Sequence, residues 1–243
     1  MKLALYFTFP YPSRDAFEKF LKRTLPLNYE YVELGIPTEH PYYDGPTVRK
    51  THGKALEEFS MNLLKDTVHM IRRTGKKVYA LAYCNLFEND PDGFMSSMKD
   101  VGFDGLILPD LLTDYYSMRK DIASSVSSHE LELIPFFNST TPDAAINEIL
   151  GLTSSWVYFG LQPSTGIRVP LDIPSMYSRI RNICGEREII VGFGINSAGT
   201  VKELRKIGFD GIAVGSAFVN SMENDDQEAF DIEMRMLESE THG

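Results

Sequence analysis

Two carboxylates flank a loop rich in glycine and proline. Glu33 closes an apolar, strand-like segment at residues 31–34, and Asp44 follows a few residues later, directly before Gly45 and Pro46. A charge in a buried strand is costly unless it has a partner or a task. Two acids in such different surroundings can take different protonation states, so that one acts as acid and the other as base. The alternative is structural, with a hydrogen-bonded buried glutamate and a turn aspartate that caps a helix.

The elements that would position these acids alternate along the whole chain. Predicted strands lie at residues 3–7, 31–34, 78–83, 105–108, 131–136, 156–159, 189–192 and 211–214. Predicted helices lie at residues 13–25, 47–73, 92–101, 113–125, 142–152, 174–183 and 198–207, with a last one from residue 226. Eight strands alternating with helices are the count of a (β/α)8 TIM barrel of the α/β class. No linker or low-complexity stretch interrupts the pattern, so a single domain is expected over residues 1–243.

A short repeat supports the barrel. Gly-Phe-Asp-Gly occurs at residues 102–105, before the fourth predicted strand, and again at residues 208–211, before the eighth. Copies that lie four units apart are what half-barrel symmetry requires. We expect the first glycine of each copy to end a helix. Asp104 and Asp210 are expected to make structural turns at the bottom of the barrel.

In TIM barrels the active site lies at the C-terminal ends of the strands. Besides Glu33, the polar or aromatic residues predicted there are Asn85, Asp110, Asn138 and Tyr158. Glycine turns follow the last two strands at residues 192–197 and 215–217, and such turns, with the short helix expected from Ala217, form the usual phosphate site of this fold. A polar loop at residues 162–168 could close over a ligand. The sequence therefore predicts a phosphorylated ligand at this end.

Composition excludes several classes of function. The net charge is −10 and no basic cluster is present, which argues against a nucleic-acid or anionic-membrane partner. No apolar run approaches the roughly 18 residues of a membrane span. Cys84 and Cys184 form no metal or redox motif, so reduced thiols in a cytoplasmic protein are expected.

Catalytic groups of other kinds are also missing at the expected site. No lysine ends a predicted strand, which makes a Schiff-base mechanism unfavourable. The histidines at positions 40, 52, 69, 129 and 242 show no ligand spacing, so no metal site is predicted, and His40 between the two acids is interpreted as a surface residue. The remaining hypothesis is acid–base catalysis on a phosphorylated small molecule.

Six segments together resemble the tryptophan synthase α subunit family. They are Glu-Leu-Gly-Ile-Pro at 33–37, Asp-Gly-Pro-Thr at 44–47, Tyr-Cys-Asn-Leu at 83–86, Leu-Pro-Asp at 108–110, Gly-Phe-Gly-Ile at 192–195 and Gly-Ser-Ala at 215–217. Their order and spacing are compatible with the family from the second strand to the eighth. The resemblance implies a lyase of tryptophan biosynthesis that cleaves indole-3-glycerol phosphate to indole and glyceraldehyde 3-phosphate, a retro-aldol reaction without a cofactor.

The resemblance also implies roles for individual residues. Glu33 would be the general acid/base that moves protons between the substrate and C3 of the indole, and Asp44 would accept a hydrogen bond from the indole N–H. Tyr158 would be an aromatic residue of the pocket, with Asn85 and Asp110 as polar residues near it. The phosphate would be held by Gly166, Gly194, Gly215 and Ser216. A pyridoxal-phosphate β subunit, in an α2β2 complex, would be the protein partner that receives the indole.

Two other hypotheses stay open at this point. In the first hypothesis, the chain is a divergent paralogue that acts on another phosphorylated small molecule. In the second, it is a non-catalytic subunit that binds a ligand or activates a partner. The presence of both Glu33 and Asp44 argues against the second, because a barrel without catalysis need not keep a costly acid at a strand end.

Overall fold

A ring of parallel strands forms the centre of the molecule. The computed structural model describes residues 1–161, 172–192, 195 and 197–242. Over these residues the strands are β1 (Lys2–Thr8), β2 (Tyr31–Gly35), β3 (Lys77–Leu81), β4 (Gly105–Ile107), β5 (Glu132–Ile134), β6 (Phe136–Asn138), β7 (Val157–Gly160), β8 (Ile189–Gly192) and β9 (Gly211–Val214). Their order in the sheet is β5-β4-β3-β2-β1-β9-β8-β7-β6, and every pair is parallel.

The ring closes through Pro135, the one residue between β5 and β6. β5 pairs with β4 and β6 pairs with β7, so the two short strands occupy a single position of the barrel. Proline has no N–H to donate to a ladder, but its carbonyl accepts a hydrogen bond of 2.9 Å from the backbone N–H of Tyr158. The predicted strand at 131–136 is therefore present but interrupted, and the predicted (β/α)8 barrel is confirmed.

The helices surround the ring. They are α1 (Arg14–Thr24), α2 (Pro46–Glu58), α3 (Met61–Arg72), α4 (Pro91–Val101), α5 (Arg119–Ser128), α6 (Asp143–Leu150), α7 (Ile173–Cys184), α8 (Ala198–Ile207), α9 (Val219–Glu223) and α10 (Gln227–His242). The prediction of one helix over 47–73 was wrong. Phe59 has extended backbone (ψ 132°), and the Ser60 side chain accepts from the N–H of Leu63 to start a second helix.

Side chains alternate across each strand, which decides what faces the barrel interior. In β2, Val32 and Leu34 pack outward in the layer between strands and helices, while Tyr31 belongs to the interior cluster. Tyr31 stacks on Trp156 with ring centroids 5.3 Å apart, and Tyr79 meets Trp156 edge-on at 5.3 Å. These three rings form an aromatic floor inside the barrel, below the level of the next inward residue of β2.

The two Gly-Phe-Asp-Gly copies have the same structure. Their first glycines end α4 and α8 with φ of +102° and +113°, a backbone region that glycine favours. The Asp104 carboxylate accepts from the N–H of Val78 at 2.8 Å, and the Asp210 carboxylate accepts from the N–H of Ile189 at 2.8 Å. Each aspartate thus joins the entry of its strand to the neighbouring strand, which confirms the predicted structural role.

No helix within the described part of the chain is long and apolar enough to cross a membrane. Cys84 and Cys184 are buried free thiols. That residues 1–243 form one domain stays a prediction, which the continuous ring of strands favours.

Candidate active site

Glu33 lies inside the barrel with its side chain fully buried (0% exposed). Its backbone pairs with Tyr6 of β1 and Tyr79 of β3, so it sits one step above the aromatic floor. Neither carboxylate oxygen has a hydrogen-bond partner among the described residues. Burial disfavours the ionised form and raises the pKa of Glu33 to about 8. The structural alternative required a hydrogen-bonded glutamate, and no such hydrogen bond is present within the described residues. With its raised pKa, the Glu33 carboxyl group is suited to exchange a proton near neutral pH.

Two tyrosines enclose the same space. Burial raises the pKa of both Tyr6 and Tyr158 well above the usual value; the negative charge of Asp44 adds to the effect on Tyr6, and that of Glu33 to the effect on Tyr158. Both carboxylates are therefore close enough to the two tyrosine hydroxyls to raise their pKa. The pocket beside them is lined by Tyr6, Asp44, Val48, Leu81, Tyr158, Ile195, Ala213, Val214, Gly215 and Ser216.

Glycines make room for these rings. A Cβ on Gly215 would lie 2.5 Å from the Tyr6 ring, and one on Gly35 would lie 2.5 Å from the Tyr6 hydroxyl. A Cβ on Gly192 would lie 2.2 Å from the Tyr158 hydroxyl. These contacts are too short for any other residue, so the packing of the two tyrosines explains these glycines independently of a ligand.

Asp44 enters the pocket from the loop between β2 and α2, with 8% of its surface exposed. Gly45, not Asp44, is the N-cap of α2, and that cap has no side-chain hydrogen bond. The proposed capping role is therefore absent. Instead, Oδ2 of Asp44 lies 3.2 Å from Nε2 of His52, which is a buried residue of α2.

Asn85 lies beside this pair. Its Nδ2 donates to Oγ1 of Thr38 at 3.3 Å, and the backbone N–H of Thr38 donates to Nδ1 of His52 at 3.1 Å. The Oδ1 of Asn85 is buried without a hydrogen-bond partner among the described residues. Asn85 thus belongs to the polar network behind Asp44, and its predicted contact with substrate stays a prediction.

Asp110 holds a turn. Both of its carboxylate oxygens accept from the backbone N–H of Cys84, at 3.1 and 3.0 Å, and its side chain is buried. Burial raises the pKa of Asp110, while the Cys84 bonds lower it. Because Cys84 begins the short turn that carries Asn85, Asp110 fixes that turn. Its predicted contact with substrate stays a prediction.

Of the predicted phosphate residues, Gly215 and Ser216 line the pocket just after β9. Gly166 and Gly194 lie outside the described residues. The short helix expected from Ala217 is α9, and the N–H of Phe218 donates to the carbonyl of Gly215 at 3.0 Å ahead of it. Phosphate binding by this turn stays a prediction.

Sequence reasoning missed Tyr6 and His52. Tyr6 alternates with Ala4 in an apolar strand, and that period of two is the signal that it points inward. His52 follows Val48 by four residues and shares its buried helix face. Within the described residues no three His, Cys, Asp or Glu side chains form a metal-binding cluster. His40, expected at the surface, is exposed.

Comparisons of this chain with known proteins all point to one family. The family model described as tryptophan synthase alpha chain matches residues 2–242. The tryptophan synthase alpha chain of Saccharolobus solfataricus is 31% identical over 222 residues, which cover 91% of this chain and 89% of that protein. The alpha chain of Sulfurisphaera tokodaii is 29% identical over 225 residues, with the same coverage.

Solved structures show the same architecture. A mutant tryptophan synthase alpha-subunit of Pyrococcus furiosus superposes with a TM-score of 0.84 at 25% identity, over 98% of this chain and 96% of that one. A tryptophan synthase chain of Mycobacterium tuberculosis gives a TM-score of 0.86 at 21% identity, over 100% and 93%, which supports the fold alone. The resemblance found in the motifs is confirmed, and the chain belongs to the tryptophan synthase alpha chain family.

Proposed function

We propose that this protein cleaves indole-3-glycerol phosphate to indole and glyceraldehyde 3-phosphate, as a lyase of tryptophan biosynthesis. The observation that carries the proposal is Glu33, a fully buried acid with a pKa of about 8 and with no hydrogen-bond partner among the described residues. A group with that pKa is present in both protonation states near neutral pH, as a general acid/base requires.

The reaction needs two proton movements. Addition of a proton to C3 of the indole gives the indolenine form, in which C3 can leave with the electron pair of its bond to the side chain. The adjacent hydroxyl loses its proton, that bond breaks, and an aldehyde and indole are formed. Glu33 moves protons at the substrate. Asp44 accepts a hydrogen bond from the indole N–H and stabilises the positive charge that builds on the ring.

The residues that line the pocket match the two parts of the substrate, the indole ring and the phosphate. Tyr158, Val48 and Leu81 supply aromatic and apolar contact for the indole. The phosphate is assigned to Gly215 and Ser216 after β9, together with Gly166 and Gly194. No cofactor takes part in this mechanism.

The partner is the tryptophan synthase β subunit, in an α2β2 complex that receives the indole. Support comes from family membership and from the structure of a tryptophan synthase complex from Pyrococcus furiosus, which this chain matches with a TM-score of 0.83 at 25% identity. A cytoplasmic location is part of the same proposal.

The test is an indole-release assay on purified protein, with and without a β subunit. We expect wild-type protein to release indole, and Glu33→Gln to lower turnover by about 10³-fold or more while the fold is kept. Glu39→Gln is the matched control, because Glu39 is an exposed residue of the following loop.

Two results would contradict the proposal. Robust turnover by Glu33→Gln would remove Glu33 from its role. A wild-type protein that binds phosphate analogues but releases no indole, even with a β subunit, would indicate a paralogue with another substrate.

A further inference from the structure

His52 is a buried imidazole that no sequence motif singled out. Only 1% of its surface is exposed, on the face of α2 that packs against the barrel. A buried imidazole has two ring nitrogens that need partners, because an unpaired polar atom away from water is destabilising. The partners of the two nitrogens therefore indicate what the residue does.

One nitrogen has a partner that fixes the tautomer. The backbone N–H of Thr38 donates to Nδ1 of His52 at 3.1 Å. An N–H can only donate to a nitrogen that carries a lone pair, so Nδ1 has no proton. The ring proton of the neutral imidazole therefore lies on Nε2.

The other nitrogen faces Asp44. Nε2 lies 3.2 Å from Oδ2 of the carboxylate, which is within hydrogen-bond distance. The alignment is poor, however, and neither atom makes a well-formed hydrogen bond to any described residue. Both atoms are buried. A small rotation of the carboxylate would let Nε2 of His52 donate a well-aligned hydrogen bond to Oδ2 of Asp44, so that each atom gains a partner. Such bonds often tighten only when substrate is bound.

The loop that carries Asp44 has other anchors. Arg49 donates to the backbone carbonyl of Asp44 at 3.0 Å and to that of Tyr42 at 2.9 Å, and the N–H of Tyr43 donates to the Tyr83 hydroxyl. These contacts fix the course of the backbone. The Asp44 carboxylate itself has two neighbours. The Tyr83 hydroxyl hydrogen-bonds to it, and His52 is the group positioned to set Oδ2.

We propose that His52 is the positioning residue for Asp44. The N–H on Nε2 holds Oδ2, so that the second carboxylate oxygen is presented to the N–H of the bound indole ring. This assignment rests on the proposed function, because it gives Asp44 a substrate group to accept. His52 itself does not touch the substrate.

Two substitutions separate positioning from packing. In His52→Asn, Oδ1 can replace Nδ1 as the acceptor for Thr38, but the side chain is too short to reach Asp44. In His52→Gln, Nε2 of the amide extends to the place of the imidazole N–H. We expect His52→Asn to lower kcat by about tenfold or more with KM changed by less than about threefold, because the indole N–H interaction strengthens in the transition state.

We expect His52→Gln to recover most of that loss, to within about threefold of the wild-type kcat. His40→Asn is the matched control, since His40 is exposed in the same loop region. Equal kcat values for the Asn and Gln variants would overturn the proposal, because a residue needed only for packing would not distinguish them. Wild-type protein without any indole release would instead contradict the proposed function.

A second measurement does not depend on activity. Nitrogen-15 spectra of histidine-labelled wild-type protein should show His52 as the Nε2–H tautomer, with the signal assigned by elimination after each of the other four histidines is replaced in turn. The Nε2 resonance should shift in Asp44→Asn while Nδ1 changes little. A proton on Nδ1, or an Nε2 signal that does not respond to Asp44→Asn, would overturn the assignment even if both His52 variants failed to fold.

Discussion

At the scale of single residues, Glu33 couples the chemistry of the site to the stability of the fold. The ordinary pKa of 4.5 is raised to about 8 by burial in the folded protein, so between these values the unfolded chain releases a proton that the folded protein keeps. The contribution of Glu33 to stability is therefore fully present below about pH 4.5 and is lost as the pH rises through about 8. The acid that suits the reaction is most destabilising at alkaline pH.

The raised pKa of Glu33 predicts how Glu33→Gln changes stability with pH. Glutamine has nearly the shape of the protonated acid but does not ionise, so the free energy of unfolding of the variant should rise relative to wild type from about pH 5 to about pH 9. The change should be on the order of a few kcal/mol. Urea unfolding at about pH 5, pH 7 and pH 9 measures it.

The control is Glu39→Gln, which removes an exposed carboxyl group from the neighbouring loop. Its difference from wild type should stay nearly constant with pH. A difference between Glu33→Gln and wild type that is equally flat would mean that the pKa of Glu33 is not raised.

The sequence revealed the two acids of the site but not the residues that surround them. Glu33 was recognisable because a charge is unusual in an apolar strand, and Asp44 because glycine and proline follow it. The alternation with Ala4 predicts that Tyr6 points inward, but only the pairing of β1 with β2 places it beside Glu33. The contact of His52 with Asp44 depends on how α2 packs over the barrel, which no local pattern records.

At the scale of elements, the end of β9 packs closely against β1. A methyl group on Gly215 would lie 2.5 Å from Cδ1 and 2.8 Å from Cβ of Tyr6, so neither the ring nor the strand can move aside easily. We expect Gly215→Ala to lower the free energy of unfolding by about 1–3 kcal/mol, as overpacking does. Urea unfolding of the two proteins measures the difference.

The matched glycine is Gly53 in the interior of α2. A Cβ there would meet nothing within 4 Å, so Gly53→Ala should stabilise the protein by about 0.5–1 kcal/mol through helix propensity. Opposite signs for the two substitutions are expected. If Gly215→Ala were neutral, Tyr6 would not be packed as described.

Most of the fold could be predicted because the spacing of apolar residues along the chain distinguishes strands from helices. The breaks within the predicted helix 47–73 and the predicted strand 131–136 could not be predicted. The apolar pattern continues through Phe59 and Ser60, yet the chain turns there and Ser60 caps a new helix. At Pro135 the strand pattern is unbroken, but the missing N–H divides one strand position into β5 and β6. Both breaks are backbone events at single residues within otherwise continuous patterns.

At the scale of the whole molecule, the described residues close the barrel interior on one side of Glu33. The aromatic floor of Tyr31, Tyr79 and Trp156 fills the interior below Glu33. Substrate and indole must therefore pass through the mouth formed by the C-terminal ends of the strands. A partner that receives indole has to cover that mouth, because an apolar product is otherwise lost to solvent.

Two large apolar side chains are exposed on loops at this mouth. Tyr42, after β2, is 64% exposed, and Leu86, after β3, is 37% exposed. Aromatic side chains such as Tyr42 are enriched at protein–protein interfaces. We expect Tyr42→Ser together with Leu86→Ser to weaken binding of the β subunit by about tenfold or more, since anchors of this kind carry much of the binding energy. Indole release by the isolated protein should change little, because neither side chain lines the pocket.

The comparison that decides this prediction is Ile232→Ser. Ile232 is 62% exposed but lies on α10, which packs outside the barrel against β1 and α8. Calorimetric titration with the β subunit should give nearly wild-type affinity for this variant and weaker affinity for the double variant. Equal losses would mean that the substitutions act through general surface properties. No loss in the double variant would place the interface elsewhere, and the indole would then need another route to its partner.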